Sequence, residues 1–202
     1  MRTSLINRYS RSSVAERMGR INVLVVVSSK KAANLLERLF GNLGFSQIMT
    51  AYDGAEAVEL LRRVKVHLMV ADSELKLNAA QPEMEEHDLT SMTAAQLHGI
   101  NFIRSLRHAK NSPAPFLPVL MLMDFARQQE VFMARDAGVN EVMLKPMEAQ
   151  DFCARVIEIM DHERMHITSP NYRGPCRRRT KNSIKVETER RTREARVIRV
   201  GE

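Results

Sequence analysis

Tryptophan is absent from this 202-residue chain, aromatic residues make up 5% of it, and there are two cysteines, Cys153 and Cys176. Two thiols are too few for the disulfide framework on which small extracellular domains rely, and nothing ahead of them reads as a secretory signal. A reducing, cytoplasmic setting is therefore expected. Long apolar runs are also missing. The longest early one, Ile21 to Val27, falls far short of the roughly 20 residues that cross a bilayer, so no membrane span is expected. Met1 to Arg20 is rich in Arg and Ser and poor in acid, the look shared by organelle transit peptides and by solvated arms; the arm is the simpler reading.

Acid is scarce at both ends. Residues 1–20 carry five arginines against Glu16, and residues 163–202 carry twelve Lys or Arg against five glutamates, so the net charge of +7 resides in the ends around a mildly acidic middle. The length suits one well-buried domain with extensions. This divides the chain into a basic arm (1–20), a folded domain (21–162) and a basic tail (163–202) that is expected to be disordered.

Within the domain, short β-branched or apolar runs alternate with segments of helical spacing. Val23–Val27 reads as a strand covered on both faces, and Gln47–Ala51, Leu68–Asp72, Val119–Met123 and Val142–Leu144 read as further strands. Lys30–Leu43, the segment after Asp53-Gly54, Gly99–Leu106, Val131–Ala137 and Ala149–Met160 read as helices. Such alternation predicts an α/β fold: a doubly wound, five-stranded parallel sheet flanked by helices, with right-handed crossovers. Residues 76–97, with Glu83, Glu85, Glu86 and Asp88, are too long for a minimal connection and form an insertion after the third strand.

Open sheets of this kind keep their chemistry at the carboxyl ends of the strands. Two residues stand out there: Asp72, ending the third strand, and Lys145, which with Pro146 ends the fifth. Met123 and Asp124 end the fourth. The first strand ends in Val27, Ser28 and Ser29, where a metal-using site of this design would want acids.

These pieces together resemble a response-regulator receiver domain, the phospho-acceptor half of two-component signalling, over about Ile21–Met160. Asp53-Gly54 stands 19 residues before Asp72. Leu97-His98-Gly99, Pro118-Val119-Leu120-Met121, Ala137-Gly138-Val139 and Lys145-Pro146 follow in order and in register. The resemblance implies that Asp72 is the phospho-acceptor position and Lys145 the phosphate contact; an ammonium there would hold the carboxylate ionised and later pair with phosphate. Other positions depart from the family. Its acidic pair falls on Val27 and Ser28, its strand-four hydroxyl on Met123, and its aromatic switch position on Val142. Mg²⁺ wants hard oxygen ligands, so binding is expected to be weak or absent, and no cofactor is expected. Glu74, or a glutamate of the insertion, is the candidate to compensate.

The resulting expectation is a stand-alone, non-enzymatic pseudo-receiver that works by protein–protein interaction, with a kinase or downstream regulator as partner. The resemblance places the partner surface on the face of helix four, strand five and helix five, and it allows a homodimer. One alternative is a working phospho-acceptor using Asp72. Another is a nucleic-acid-associated protein binding polyanions through Arg177, Arg178 and Arg179, in a Tyr-x-Gly-Pro-x-Arg-Arg-Arg stretch that resembles one found after some bacterial receivers. His162-Glu163-Arg164-Met165-His166 spells the zinc-hydrolase pattern HExxH, with its histidines one helical turn apart. Without a third ligand it reads better as the solvated end of the last helix. Met121, Met123 and Met143 would line the sheet edge or pack in the core.

Overall fold

The computed structural model describes residues 18–75, 98–124, 127–162, 164–169, 171–177 and the backbone of 196–198. The insertion 76–97 and most of both basic ends lie outside the described residues. Five strands, β1 (Asn22–Val26), β2 (Gln47–Ala51), β3 (Leu68–Asp72), β4 (Val119–Met123) and β5 (Glu141–Leu144), pair in parallel in the order β2-β1-β3-β4-β5. Helices α1 (Lys30–Asn42), α2 (Gly54–Arg63), α3 (His98–His108), α4 (Gln128–Asp136) and α5 (Ala149–Asp161) connect them. The predicted sheet and its doubly wound order are thus present.

Strand alternation builds two cores. Val23, Val25, Val27, Leu68, Val70, Leu120 and Leu122 pack with Leu36 and Phe40 of α1 and Phe152 and Val156 of α5. Leu24, Val26, Met69, Ala71, Val119, Met121 and Met123 pack with Ala57 of α2, Ile100 and Ile103 of α3 and Ala134 of α4. Period-two alternation hands successive residues to opposite faces, so an uninterrupted apolar strand serves both layers. Met121 and Met123 are core residues of one layer and Met143 of the other.

Three expectations need correction. The arm does not extend to residue 20: Met18 is buried in the α1–α5 core, and its carbonyl accepts the Ile21 N–H. The chain beyond 162 is ordered where it is described. Strands β6 (His166–Ser169), β7 (Tyr172–Pro175) and β8 (Arg196–Ile198) form an antiparallel sheet in the order β7-β6-β8. Finally, α5 ends at Asp161. His162 is exposed at its C-cap and His166 is buried in a strand, so the two histidines do not share a helical turn and HExxH has no helix to act on.

What orders this segment is Arg107, fully buried at the end of α3. Its Nε and Nη2 donate to the Gly138 carbonyl (both 3.1 Å), Nη1 donates to Pro115 O (2.9 Å) and Nη2 to Leu117 O (2.6 Å). Burial pulls its pKa down to about 10, still charged at neutral pH. Arg173 of β7 donates to the Arg107 carbonyl (3.1 Å), capping α3. Gly138 has φ 91°, and a Cβ there would meet Arg173 O at 2.6 Å, so only glycine lets the hairpin close on this turn. Arg164 donates to Asn140 O (3.0 Å), and Arg177 pairs with Asp136 (2.7 Å) while lying over the Tyr172 ring (4.3 Å).

Two outcomes follow from this end of the molecule. Arg107→Met should lower the unfolding free energy by about 3–5 kcal/mol, read from urea unfolding, because several buried carbonyls lose their donor at once. His166, 2% exposed, packs edge-on against Phe116 with neither ring nitrogen bonded among the described residues. Burial, helped by the Arg107 charge, lowers its pKa from 6.5 to about 4. A depressed histidine stabilises the fold fully above 6.5 and loses that contribution as pH falls toward 4. Stability against thermal unfolding should therefore fall by up to about 3 kcal/mol as pH drops across that window, and His166→Phe should flatten the dependence.

Candidate functional site

At the opposite edge of the sheet the carboxyl ends of β3, β4 and β5 bring three charged side chains together. Lys145 Nζ donates to Asp72 Oδ2 at 2.8 Å and pairs with Asp124 Oδ1 at 3.0 Å. The backbone delivers each of them. The ladder pairs Asp72 with Leu122 and Met123 with Leu144, and the Lys145 N–H donates to Met123 O (2.8 Å), so Lys145 and Asp124 leave adjacent strands side by side. Asp72 is held from below as well. Ser73 N–H donates to Leu122 O, and Gly99 N–H, in the first turn of α3, donates to Ser73 O. A Cβ on Gly99 would run into the Asp72 carbonyl, so the absence of a side chain there lets α3 start directly against the site.

Electrostatics favour the charged state of Lys145. Burial works against the ammonium, but hydrogen bonds and attraction from Asp72 and Asp124 outweigh it, and the pKa is raised. Asp72 Oδ1 accepts the Glu74 N–H at 3.2 Å. The side chains of Asp72, Lys145 and Asp124 are 13%, 27% and 36% exposed, so solvent screens the outer pair more than the inner.

The predicted residues are distributed as follows. Asp72 and Lys145 meet. Val27 lies one residue beyond the β1–β3 register pair Val26–Ala71, level with Asp72 on the same face, and is 0% exposed in the α1–α5 core. Ser28 Oγ is 3.4 Å from the Glu74 carbonyl. Met123 is buried in the other core, and Val142 is partly buried against it. Glu74 contacts the site through its backbone, and the residue as a whole is exposed. The second carboxylate that meets Lys145 is Asp124, a residue sequence reasoning placed at the edge without giving it a role; the signal was its position directly after an apolar strand.

A divalent cation would need several hard oxygens beside Asp72. Here the β1 side offers the isopropyl group of Val27 and one hydroxyl, and both carboxylates are bonded to Lys145. Among the described residues no three His, Cys, Asp or Glu side chains are grouped to hold a metal. As oxygen donors for Mg²⁺ the edge thus offers Asp72 and Asp124, both engaged by Lys145, and the Ser28 hydroxyl, with no carboxylate from the β1 side.

A parallel sheet in this order, with an aspartate ending its central strand and a lysine ending its last, defines a receiver-type domain. The comparisons agree. The chemotaxis protein CheY of Pseudomonas aeruginosa is 25% identical over 141 residues, covering 70% of this chain and 97% of that protein. Chemotaxis protein CheY-3 of Vibrio cholerae is 26% identical over 141 residues, 70% of this chain and 92% of its own length. A CheY-like response regulator receiver domain protein from Methanospirillum hungatei superposes with a TM-score of 0.54 at 13% identity, over 70% of this chain and 94% of that one. No family model matches. The chain thus has the receiver-type fold and is similar in sequence to response regulators of the chemotaxis type. No helix among the described residues is long and apolar enough to cross a membrane.

Lys145→Met would leave two carboxylates facing one another without their cation. The expected loss is about 1–2 kcal/mol, discounted from the buried-pair range for partial exposure, and a thermal melt at pH 7 measures it. Asp72→Asn, which keeps the Asp124–Lys145 pair, should cost less.

Proposed function

We propose that this protein is a signalling receiver that acts by binding a protein partner, a kinase or a downstream regulator, without ordinary Mg²⁺-dependent phosphorylation of Asp72. The observation that carries this is Val27. An apolar side chain, wholly buried, stands beside Asp72 on the face where an acid would help hold the metal. Phosphoryl transfer rests chiefly on positioning and charge neutralisation, and loss of the metal removes a main contribution. Lys145 alone must then offset Asp72, Asp124 and any incoming phosphate. The partner surface proposed is the face of α4, β5 and α5, where Phe132 and Leu144 are 43% and 45% exposed.

One observation favours a second reading, a phospho-acceptor: the 2.8 Å Asp72–Lys145 bond sets a cation directly against the carboxylate that would accept the phosphoryl group. Intact mass after incubation with Mg²⁺ and acetyl phosphate separates the two, with Asp72→Ala as control. No added phosphoryl group is expected on either protein. A labile gain of one phosphoryl group, lost in the control, would establish the second reading and reject the first.

A further inference from the structure

α4 is the least anchored helix of the domain. It has nine residues and buries Glu130 and Ala134, with Val131 and Met133 only partly buried against the core. By contrast α1 and α5, of thirteen residues each, bury Ala33, Leu36 and Phe40, and Phe152, Val156 and Ile159. A short helix with so little apolar burial depends on its ends for placement. Its leading end is reached from β4 through Asp124, three residues before Arg127, and Asp124 is tied to Lys145 at 3.0 Å. Lys145 in turn is fixed by its own N–H to Met123 O and by Asp72.

We infer that Asp124 is a positioning residue: through Lys145 it fixes the end of β4, three residues ahead of the α4 N-cap, so the α4 face is set by a charge this chain carries itself. The inference rests on the proposal above and deepens it, since it names what would fix the partner surface when no phosphoryl group is added. The chemistry is one-sided in a useful way. Lys145 has two acceptors, and Asp72 is already satisfied in part by the Glu74 N–H. Asp124 makes no other hydrogen bond or ion pair among the described residues, so the Lys145 bond alone restrains it.

Hydrogen exchange of the full-length protein, followed by mass spectrometry at neutral pH without Mg²⁺ or phosphodonor, tests this. In Asp124→Asn, amides of residues 127–133 should exchange about fivefold faster than in the parent, while α1 and α5 stay protected. Asp72→Asn should leave 127–133 as in the parent, because it keeps the Asp124–Lys145 pair, and Asp124→Glu should restore most of the protection. The parent in 1 M NaCl should move toward Asp124→Asn, since the pair is partly exposed and salt screens it. Unchanged exchange in Asp124→Asn would overturn the inference. So would Asp72→Asn opening α4 as far as Asp124→Asn, which would centre the tie on Asp72. Phosphorylation is not read in this experiment, so the phospho-acceptor result and the exchange result fail independently.

Discussion

One buried guanidinium sets the frame in which everything else is placed. Arg107 leaves the end of α3 and gathers the carbonyls of Pro115, Leu117 and Gly138, which belong to the segment entering β4 and the turn entering β5. An isolated buried cation would be costly, and burial does lower this one to about 10. Several oriented carbonyls compensate for the lost water, as donors in a planar fork can meet acceptors from different directions at once. The same cluster then accepts the C-terminal hairpin, whose Arg173 caps α3 and whose Arg164 bonds Asn140. The starts of β4 and β5, the end of α3 and the second sheet are therefore fixed together.

At the far edge the governing quantity is charge. Two carboxylates and one ammonium leave the site with a deficit of cation, and the end of β1 adds no carboxylate, only the Ser28 hydroxyl. Val27 is decisive because alternation along β1 commits it to the same face as Asp72, where it is packed by α1 and α5.

Much of this was legible in the sequence. Strands β2, β3 and β4 have the expected bounds; for β3 and β4 the reason is that a two-faced apolar run flanked by turn residues has little else it can be. Asp72 and Lys145 were legible because strand ends in an open parallel sheet share an edge. The second sheet was not. Its strands are four residues or fewer, its hydrophobicity is low, and the arginines that make it look solvated are the groups that bind it to the domain. A charged residue bonded to a backbone carbonyl leaves no periodic signal. HExxH misled for the complementary reason: a short pattern carries no information on whether the helix continues past Asp161. The partnership of Asp124 with Lys145 needed the β4–β5 register, which composition cannot supply.

The two ends meet in β5. This strand begins beside Asn140, whose side-chain oxygen accepts the Val119 N–H, and ends one residue before Lys145. Four residues at about 3.3 Å each separate the Arg107 cluster from the acidic edge by roughly 13 Å of paired backbone. Because a parallel ladder slips only by breaking its bonds as a set, the register chosen at the amino end determines where Lys145 emerges. A one-residue slip would turn Met143 out of the α1–α5 core and carry Lys145 away from both carboxylates. The cost of exposing that methionine and leaving the carboxylates without their cation runs in the same direction as the cost of disturbing Arg107. The hairpin, the buried arginine and the acid–lysine–acid edge thus constrain one strand from both ends, and the position of the lysine is a property of the whole domain and not of the pocket alone.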